Sequence, residues 1–283
     1  MAADNGNFPS CAKVLDELDD RFNERRAPRH KKHRGWEGIK LFDLFEPEAT
    51  CLSEERFGSE SEERFVAFGD GPKFVCGVDI IAAKAKAEGC LIYSVGSNND
   101  IRFEKAVHTH MEGCEIHTFD PTLEPDDFIG GEYATFHPWG LGTDGGKEGI
   151  PMQGRANEGI RKSFKTVMKD LGHEHRTIDI LKIDCEGCEY AAMPPLFDLI
   201  ASEKVSVNQV LIELHKDQND REGRAQRLYD FFLAADHAKF RITHKEGNHW
   251  GCDGSRCVEY TFVNESFLRD ANGAIVCPSI GDD

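Results

Sequence analysis

Acidic residues and a histidine follow two apolar segments of this chain at spacings suited to proton transfer. Residues 178–184 end in Asp184, with Glu186 two positions later, and residues 210–215 end in His215. An imidazole titrates near neutral pH and clustered carboxylates raise one another's pKa, so these groups could take a proton from a hydroxyl. The same side chains could instead hold a divalent metal. We expect Asp184, Glu186 and His215 to be catalytic and assign no metal ligand.

A turn of small residues offers a second chemically useful site. Gly96, Ser97 and Asn98 follow the apolar segment 90–95, and a helical pattern begins after them. A strand, a turn and a helix in this order bring backbone N–H groups and a helix N-terminus towards a ligand. Asp120 ends the next apolar segment, where a carboxylate can accept hydrogen bonds from both hydroxyls of a ribose. Together these residues indicate a nucleotide-type site, although an ordinary turn explains Gly96 equally well.

Alternating apolar and amphipathic segments must position these groups. Four strand-like segments with polar ends would meet at the carboxyl edge of a parallel sheet, at residues 90–95, 115–120, 178–184 and 208–214. Helical patterns occur at residues 101–111, 157–171, 190–200 and 221–235, the third interrupted at Pro194 and Pro195. Further strands are expected at 133–137, 240–244 and 258–263, the last two as an antiparallel pair. The pattern predicts an α/β fold.

Residues 181–189 resemble the K-I-D-x-E-G-x-E signature of FkbM-type methyltransferases, which use S-adenosylmethionine. Residues 69–76, 93–98 and 119–122 resemble the related eukaryotic methyltransferase-like branch, and the resemblance covers residues 65–263. It implies a Rossmann-like class I methyltransferase fold: α/β, with a mostly parallel seven-stranded sheet, an antiparallel terminal strand and helices on both faces. It also implies a set of cofactor contacts, from Ser94, Gly96, Ser97, Asn98, Asp120, Pro121, Leu141 and Asp184.

The resemblance implies methyl transfer to oxygen, with a hydroxyl of a sugar or small metabolite as the acceptor. In-line displacement at a sulfonium requires the protein to align the acceptor, exclude water and accept a proton. Ser94, Asn98 and Asp100 depart from the family pattern, which supports an alternative: a methyltransferase fold that binds ligands without turnover. An NAD-dependent oxidoreductase fits poorly, because the turn lacks the three glycines of such sites.

Composition restricts the partners and the location. The chain has 283 residues and a net charge of −17, from 34 basic and 51 acidic side chains, so it would repel nucleic-acid phosphates. It shows no apolar run long enough to span a membrane and no signal-peptide pattern, so we expect a cytoplasmic protein, of open oligomeric state.

Three parts are expected along the chain. Residues 1–35 form a flexible extension, whose basic cluster fits either a solvated linker or a localisation, RNA-binding or lipid-binding arm. Residues 36–89 form a leader that packs on the core, with Lys73 as a possible cofactor contact, and residues 90–283 form the methyltransferase domain.

Ten cysteines are spread along the chain. Cys76, Cys90 and Cys114 lie in or beside apolar segments and are expected to be core residues. The close pairs 185/188 and 252/257 leave two alternatives, which are a zinc site made of all four or a disulfide within the second pair in an oxidising compartment.

Overall fold

The computed structural model describes residues 42–51, 53–59, 70–145, 150–152, 155–157, 160–215, 224–252 and 256–268. The predicted extension and part of the predicted leader lie outside the described residues, so the expected division into three parts stays a prediction. Within these ranges, no helix is both long and apolar enough to cross a membrane.

A seven-stranded sheet forms the centre of the fold. The strands of the described ranges are, in chain order, β1 (Glu54–Phe57), β2 (Lys73–Cys76), β3 (Cys90–Val95), β4 (Cys114–Phe119), β5 (Thr135–His137), β6 (Trp139–Leu141), β7 (Ile150–Met152), β8 (Arg155–Asn157), β9 (Ile160–Lys162), β10 (Thr177–Ile183), β11 (Ser206–His215), β12 (Phe240–Gly247) and β13 (Cys257–Asn264). The central sheet has the order β12-β13-β11-β10-β3-β4-β5. Its strand pairs are parallel except those of β13, which is antiparallel to both neighbours. The predicted fold class is therefore confirmed.

Helices cover both faces of this sheet. They are α1 (Val78–Glu88), α2 (Arg102–His110), α3 (Phe164–Leu171), α4 (Glu189–Ala201), α5 (Arg224–His237) and α6 (Glu265–Leu268). One apolar core joins the sheet to α1 and α2, and the other joins it to α3, α4 and α5. Successive residues of a strand point to opposite faces, so in β3 Leu91 and Tyr93 enter the second core and Ile92 enters the first.

The predicted helix at residues 157–171 was wrong in its first half. Ile160 lies in β9, which pairs with β6, and its side chain is 60% exposed. α3 begins only after Ser163, whose hydroxyl caps the helix while its backbone N–H donates to Asp144 over 2.7 Å. Gly172, at φ 72°, ends the helix as predicted.

The predicted interruption at Pro194 and Pro195 was also wrong, because α4 is continuous from Glu189 to Ala201. Leu196 and Phe197 are buried in the second core, and this packing outweighs the poor helix propensity of proline.

Eight cysteines of the described ranges form four disulfides: Cys51–Cys76, Cys90–Cys114, Cys185–Cys188 and Cys252–Cys257. Cys76 and Cys90 are buried, as expected, and Cys114 is partly buried against the first core. The alternative zinc site made of the last four cysteines is not formed, because their sulfurs are bonded in pairs.

Candidate active site

The turn after β3 passes directly over the end of β10. The Gly96 N–H donates to the Phe119 carbonyl over 2.8 Å, and the Gly96 carbonyl accepts a hydrogen bond from Lys182 Nζ over 2.7 Å. A Cβ at Gly96, whose φ is +78°, would lie 1.7 Å from the carbonyl oxygen of Asp184. The close approach of these two strand ends therefore requires glycine.

Asp120 is buried at the end of β4 and holds the turn in place. Its Oδ2 accepts hydrogen bonds from the backbone N–H groups of Ser97 and Asn98, over 3.0 and 2.7 Å. Its Oδ1 accepts from the backbone N–H and the hydroxyl of Thr122, over 2.9 and 2.5 Å. These donors fill the lone-pair directions of a carboxylate. A ribose hydroxyl at Asp120 would therefore compete with donors of the protein itself.

The other predicted cofactor contacts differ in accessibility. Ser94 is buried within β3, and its hydroxyl has no hydrogen-bond partner among the described residues. Leu141 is buried in the second core on β6. Pro121 is partly exposed, beside Gly140. Of these three predicted contacts, Pro121 alone presents surface to a ligand in this structure, and the roles of Ser94 and Leu141 stay predictions.

Asp184, Glu186 and His215 lie together at the carboxyl edge of the sheet. One carboxylate oxygen of each acid and one ring nitrogen of His215 lie within 4.8 Å of one another. His215 Nδ1 donates to Glu189 Oε1 over 2.7 Å, and Glu189 is completely buried. His215 Nε2 lies 3.4 Å from Oε2 of Glu186, whose side chain is 58% exposed. The buried carboxylate thus fixes the ring and leaves Nε2 beside an accessible acid.

The pKa of His215 differs from the sequence expectation. Burial opposes the charged imidazolium, but the hydrogen bond to Glu189 and the charges of Glu213 and Asp184 outweigh it and raise the pKa of His215 to about 10. Burial, together with repulsion from Asp184 and Glu189, raises the pKa of Glu186. His215 therefore carries a proton at neutral pH in the ligand-free protein, instead of titrating there as expected.

Lys73 lies at the centre of three carboxylates. Its Nζ is 2.6 Å from Glu259 Oε1, 3.1 Å from Asp184 Oδ2 and 3.9 Å from Glu213 Oε2, and the whole side chain is buried. Glu213 and Glu259 face each other in the register of β11 and β13, where like charges destabilise a sheet. The ammonium offsets this repulsion, and it lies among the carboxylates that could otherwise hold a divalent metal.

The pKa values of these four groups shift in different directions. Burial opposes the charged form of Lys73, but the three carboxylates outweigh burial and raise its pKa. Burial alone would raise the pKa of Asp184, yet the positive charges of Lys73 and Lys182 lower it. Burial, with repulsion from Asp184, raises the pKa of both Glu213 and Glu259. Of the three acids, Asp184 is therefore the one whose pKa the cluster lowers.

Sequence reasoning placed Glu189 among the carboxylates near Asp184 or at the start of the following helix, but it did not pair Glu189 with His215 and gave Glu259 no role. Glu189 belongs to the signature segment, but its partner His215 is 26 positions away. Glu259 lies in β13, between the buried residues Val258 and Tyr260. A single charge inside an apolar strand is the signal that could have found Glu259, because buried charges need partners.

A family model described as a methyltransferase domain matches residues 14–264. The chain belongs to this methyltransferase family. It is 25% identical over 224 residues to Probable methyltransferase-like protein 24 from Rattus norvegicus, and 24% identical over 136 residues to the protein of that name from Homo sapiens. The alignments cover 73% and 48% of this chain, and the chain spans only 56% and 35% of those two relatives.

Among solved structures, the methyltransferase resembles an O-methyltransferase from Bacillus cereus in complex with SAH, with a TM-score of 0.40 and 10% identity over 92% of this chain and 94% of that one. A similarity this distant says nothing about the acceptor. S-adenosylmethionine is the cofactor of the family, and the turn at Gly96 lies at the carboxyl edge of the sheet, where open α/β sheets bind their ligands.

Proposed function

We propose that this methyltransferase transfers the methyl group of S-adenosylmethionine to a hydroxyl oxygen of a small polar acceptor such as a sugar. The Glu189–His215 pair beside Asp184 carries this proposal. A carboxylate that fixes one imidazole nitrogen leaves the other for a reacting hydroxyl, which is the arrangement of a general base. The resemblance to FkbM-type enzymes supports the same class of acceptor.

In this proposal His215 Nε2 takes the proton of the acceptor hydroxyl as the new carbon–oxygen bond forms. His215 must first lose its own proton, because its pKa is about 10 in the ligand-free protein. A positive sulfonium near the ring lowers that pKa, so cofactor binding and proton loss are coupled. Glu186, 3.4 Å from Nε2 and largely exposed, receives this proton and passes it to solvent.

Asp184 orients the acceptor in the same proposal. Lys73, 3.1 Å away, keeps Asp184 ionised at the carboxyl edge. An ionised carboxylate accepts a hydrogen bond from the acceptor hydroxyl and so aligns an oxygen lone pair with the methyl carbon. Because Lys73 supplies the positive charge of the cluster, we propose that transfer needs no divalent metal at Asp184.

A second candidate function is a methyltransferase fold that binds its ligand without turnover. The observation that favours it is the carboxylate of Asp120, whose two oxygens already accept hydrogen bonds from the turn and from Thr122. A ribose would then gain little at this position.

The compartment is a separate proposal. Four disulfides within the described ranges favour an oxidising compartment, because cytosolic thiols are kept reduced. The cytoplasmic location stays a prediction that non-reducing mass analysis of the native protein would test.

Calorimetric titration with S-adenosylmethionine and its demethylated product, with NAD as a control, is the first test of function. An acceptor screen with methyl-labelled cofactor follows, beginning with sugars. His215→Gln should lower turnover about 10²–10⁴-fold while cofactor affinity is retained. His175→Gln changes an exposed histidine and should alter neither quantity. Normal turnover of His215→Gln would refute the base, and cofactor binding without turnover of any acceptor would favour the second candidate.

A further inference from the structure

Three side chains converge at the opposite edge of the sheet from Asp184. Glu115 lies near the beginning of β4 and His117 two positions further along the strand, and His173 follows α3 just before β10. Both histidines present Nε2 to the same carboxylate oxygen, Glu115 Oε1, over 2.8 Å from His117 and 3.3 Å from His173. The three atoms all lie within 4.8 Å of one another. Both histidines are buried, whereas the Glu115 side chain is 44% exposed.

The remaining ring nitrogens of both histidines already have partners. His117 Nδ1 lies 2.8 Å from Nε2 of His137, and His173 Nδ1 lies 2.7 Å from the hydroxyl of Tyr93. Such hydrogen bonds through the second ring nitrogen are what orient metal-binding histidines. The ring orientations at this edge therefore follow from neighbouring strands and do not depend on Glu115 alone.

We propose that Glu115, His117 and His173 form a binding site for a divalent transition metal of the zinc type. Two imidazole nitrogens and one carboxylate oxygen are a ligand set that suits zinc. Ligands about 2.1 Å from a tetrahedral ion lie about 3.4 Å apart, close to the 3.3 Å between His173 and Glu115, whereas the 2.8 Å between His117 and Glu115 would lengthen on metal binding. The site would tie the start of β4 to the segment before β10, and the exposed side of Glu115 gives the ion access from solvent.

The charges around the cluster agree with this proposal. Burial opposes ionisation of Glu115, but hydrogen bonds from Arg176 and His117 outweigh it and lower the pKa of Glu115 to about 2. Burial and the neighbouring His117 lower the pKa of His137 to about 4, and burial lowers the pKa of His173. Metals bind such residues as a carboxylate and as neutral imidazoles. Arg176 contacts Glu115 Oε2, so Oε1 faces the histidines.

The same contacts can be satisfied by protons alone. The Tyr93 hydroxyl would donate to His173 Nδ1 and His137 Nε2 to His117 Nδ1, and both Nε2–H groups would then donate to Glu115. In such a network the two Nε2 atoms carry protons that a metal would have to displace, so metal binding by the purified protein separates the two arrangements.

The experiment uses the full chain, stripped of metal with a chelator and kept without reductant, and titrated with Zn²⁺ by calorimetry and with Co²⁺ by visible absorption. One equivalent should bind, with the intense cobalt bands of a tetrahedral site. His173→Gln should lower affinity at least 100-fold, and so should Glu115→Gln, whose partly exposed side chain makes misfolding a lesser concern. His175→Gln, an exposed histidine two positions from His173, is the matched control and should bind like the parent protein.

Three outcomes overturn the proposal. The folded parent protein takes up no metal, or His173→Gln and Glu115→Gln bind as tightly as the parent, or binding is lost in His215→Gln instead. The last result would move the metal to the carboxyl edge, where Asp184, Glu186 and His215 are also close together.

Discussion

Replacing Lys73 with methionine should destabilise the protein strongly, and by an amount that depends on pH. The change removes the ammonium that lies 2.6, 3.1 and 3.9 Å from the carboxylates of Glu259, Asp184 and Glu213 and leaves those acids buried together. Removing one partner of a buried ion pair typically costs about 3–5 kcal/mol, because the other charge stays desolvated. We expect a loss in that range at pH 7.5, since Asp184 loses its cation while Glu213 and Glu259 stay packed beside it.

The loss should shrink as the pH falls. Without Lys73, the lowered pKa of Asp184 rises, and the pKa values of Glu213 and Glu259 rise further above their ordinary value of 4.5, so the folded variant binds protons that the unfolded chain does not. Each such proton increases stability by about 1.4 kcal/mol per pH unit of acidification within this window. The difference between variant and parent should therefore be smaller at pH 5.5 than at pH 7.5.

Urea unfolding followed by circular dichroism at the two pH values measures both quantities. Lys204→Met, at an exposed position, is the control and should cost less than about 0.5 kcal/mol. A loss for Lys73→Met below about 1 kcal/mol at pH 7.5, or one that grows on acidification, would refute the description of Lys73 as the cation of a buried carboxylate cluster.

Three further predictions concern the same edge and the histidine cluster. Turnover should rise with pH above 7 as His215, with a pKa of about 10, loses its proton. Glu189→Gln should move this rise to lower pH in a rate–pH profile, because it removes the charged partner whose hydrogen bond does most to raise the pKa of His215. Asp120→Asn should lower the thermal unfolding temperature of the cofactor-free protein, because the turn loses hydrogen bonds. A loss of about 1–3 kcal/mol in the free energy of S-adenosylmethionine binding, measured by calorimetry, would show that Asp120 also binds the ribose. Unchanged affinity would remove that role. Burial lowers the pKa of His137 to about 4 from an unfolded value near 6.5, so its contribution to stability is present above pH 6.5 and is lost as the pH falls through 4. In metal-free protein, the urea unfolding midpoint of His137→Phe should therefore fall less between pH 7 and pH 4.5 than that of the parent protein. An equal fall in both proteins would contradict this prediction.

The fold could be predicted because short sequence patterns indicate the strands of its central sheet. Buried strands such as 90–95 and 178–184 are continuous apolar runs, and the polar residues after them mark the carboxyl edge at which ligands bind. The helix at 157–171 was wrong for a related reason. Ile160 fits a helical period, but it lies in a short strand and its side chain is exposed. This strand forms by pairing with β6, and the local sequence pattern does not show that pairing.

Only those site residues that end or directly follow a predicted strand could be placed from the sequence. Asp184 and His215 follow strands, so their proximity could be expected from a parallel sheet. Lys73 reaches Asp184 from 111 positions away, and Glu259 meets Glu213 only because β13 turns antiparallel against β11. These contacts depend on tertiary packing, and so do the pKa values that they set, because burial and neighbouring charge cannot be read from spacing.

The contact between Gly96 and the Asp184 carbonyl would couple two steps of the proposed reaction, which are cofactor binding and acceptor binding. The turn that we propose to bind the cofactor and the strand end that carries Asp184 are in contact through their backbones, and Lys182 and the Asp184 N–H also link them. Any shift of the turn towards the sheet during cofactor capture pushes on Asp184 with no flexible side chain between them. If the turn binds the cofactor as we propose, cofactor binding would set the position of Asp184 before the acceptor meets it, and we expect an ordered sequence with the cofactor first.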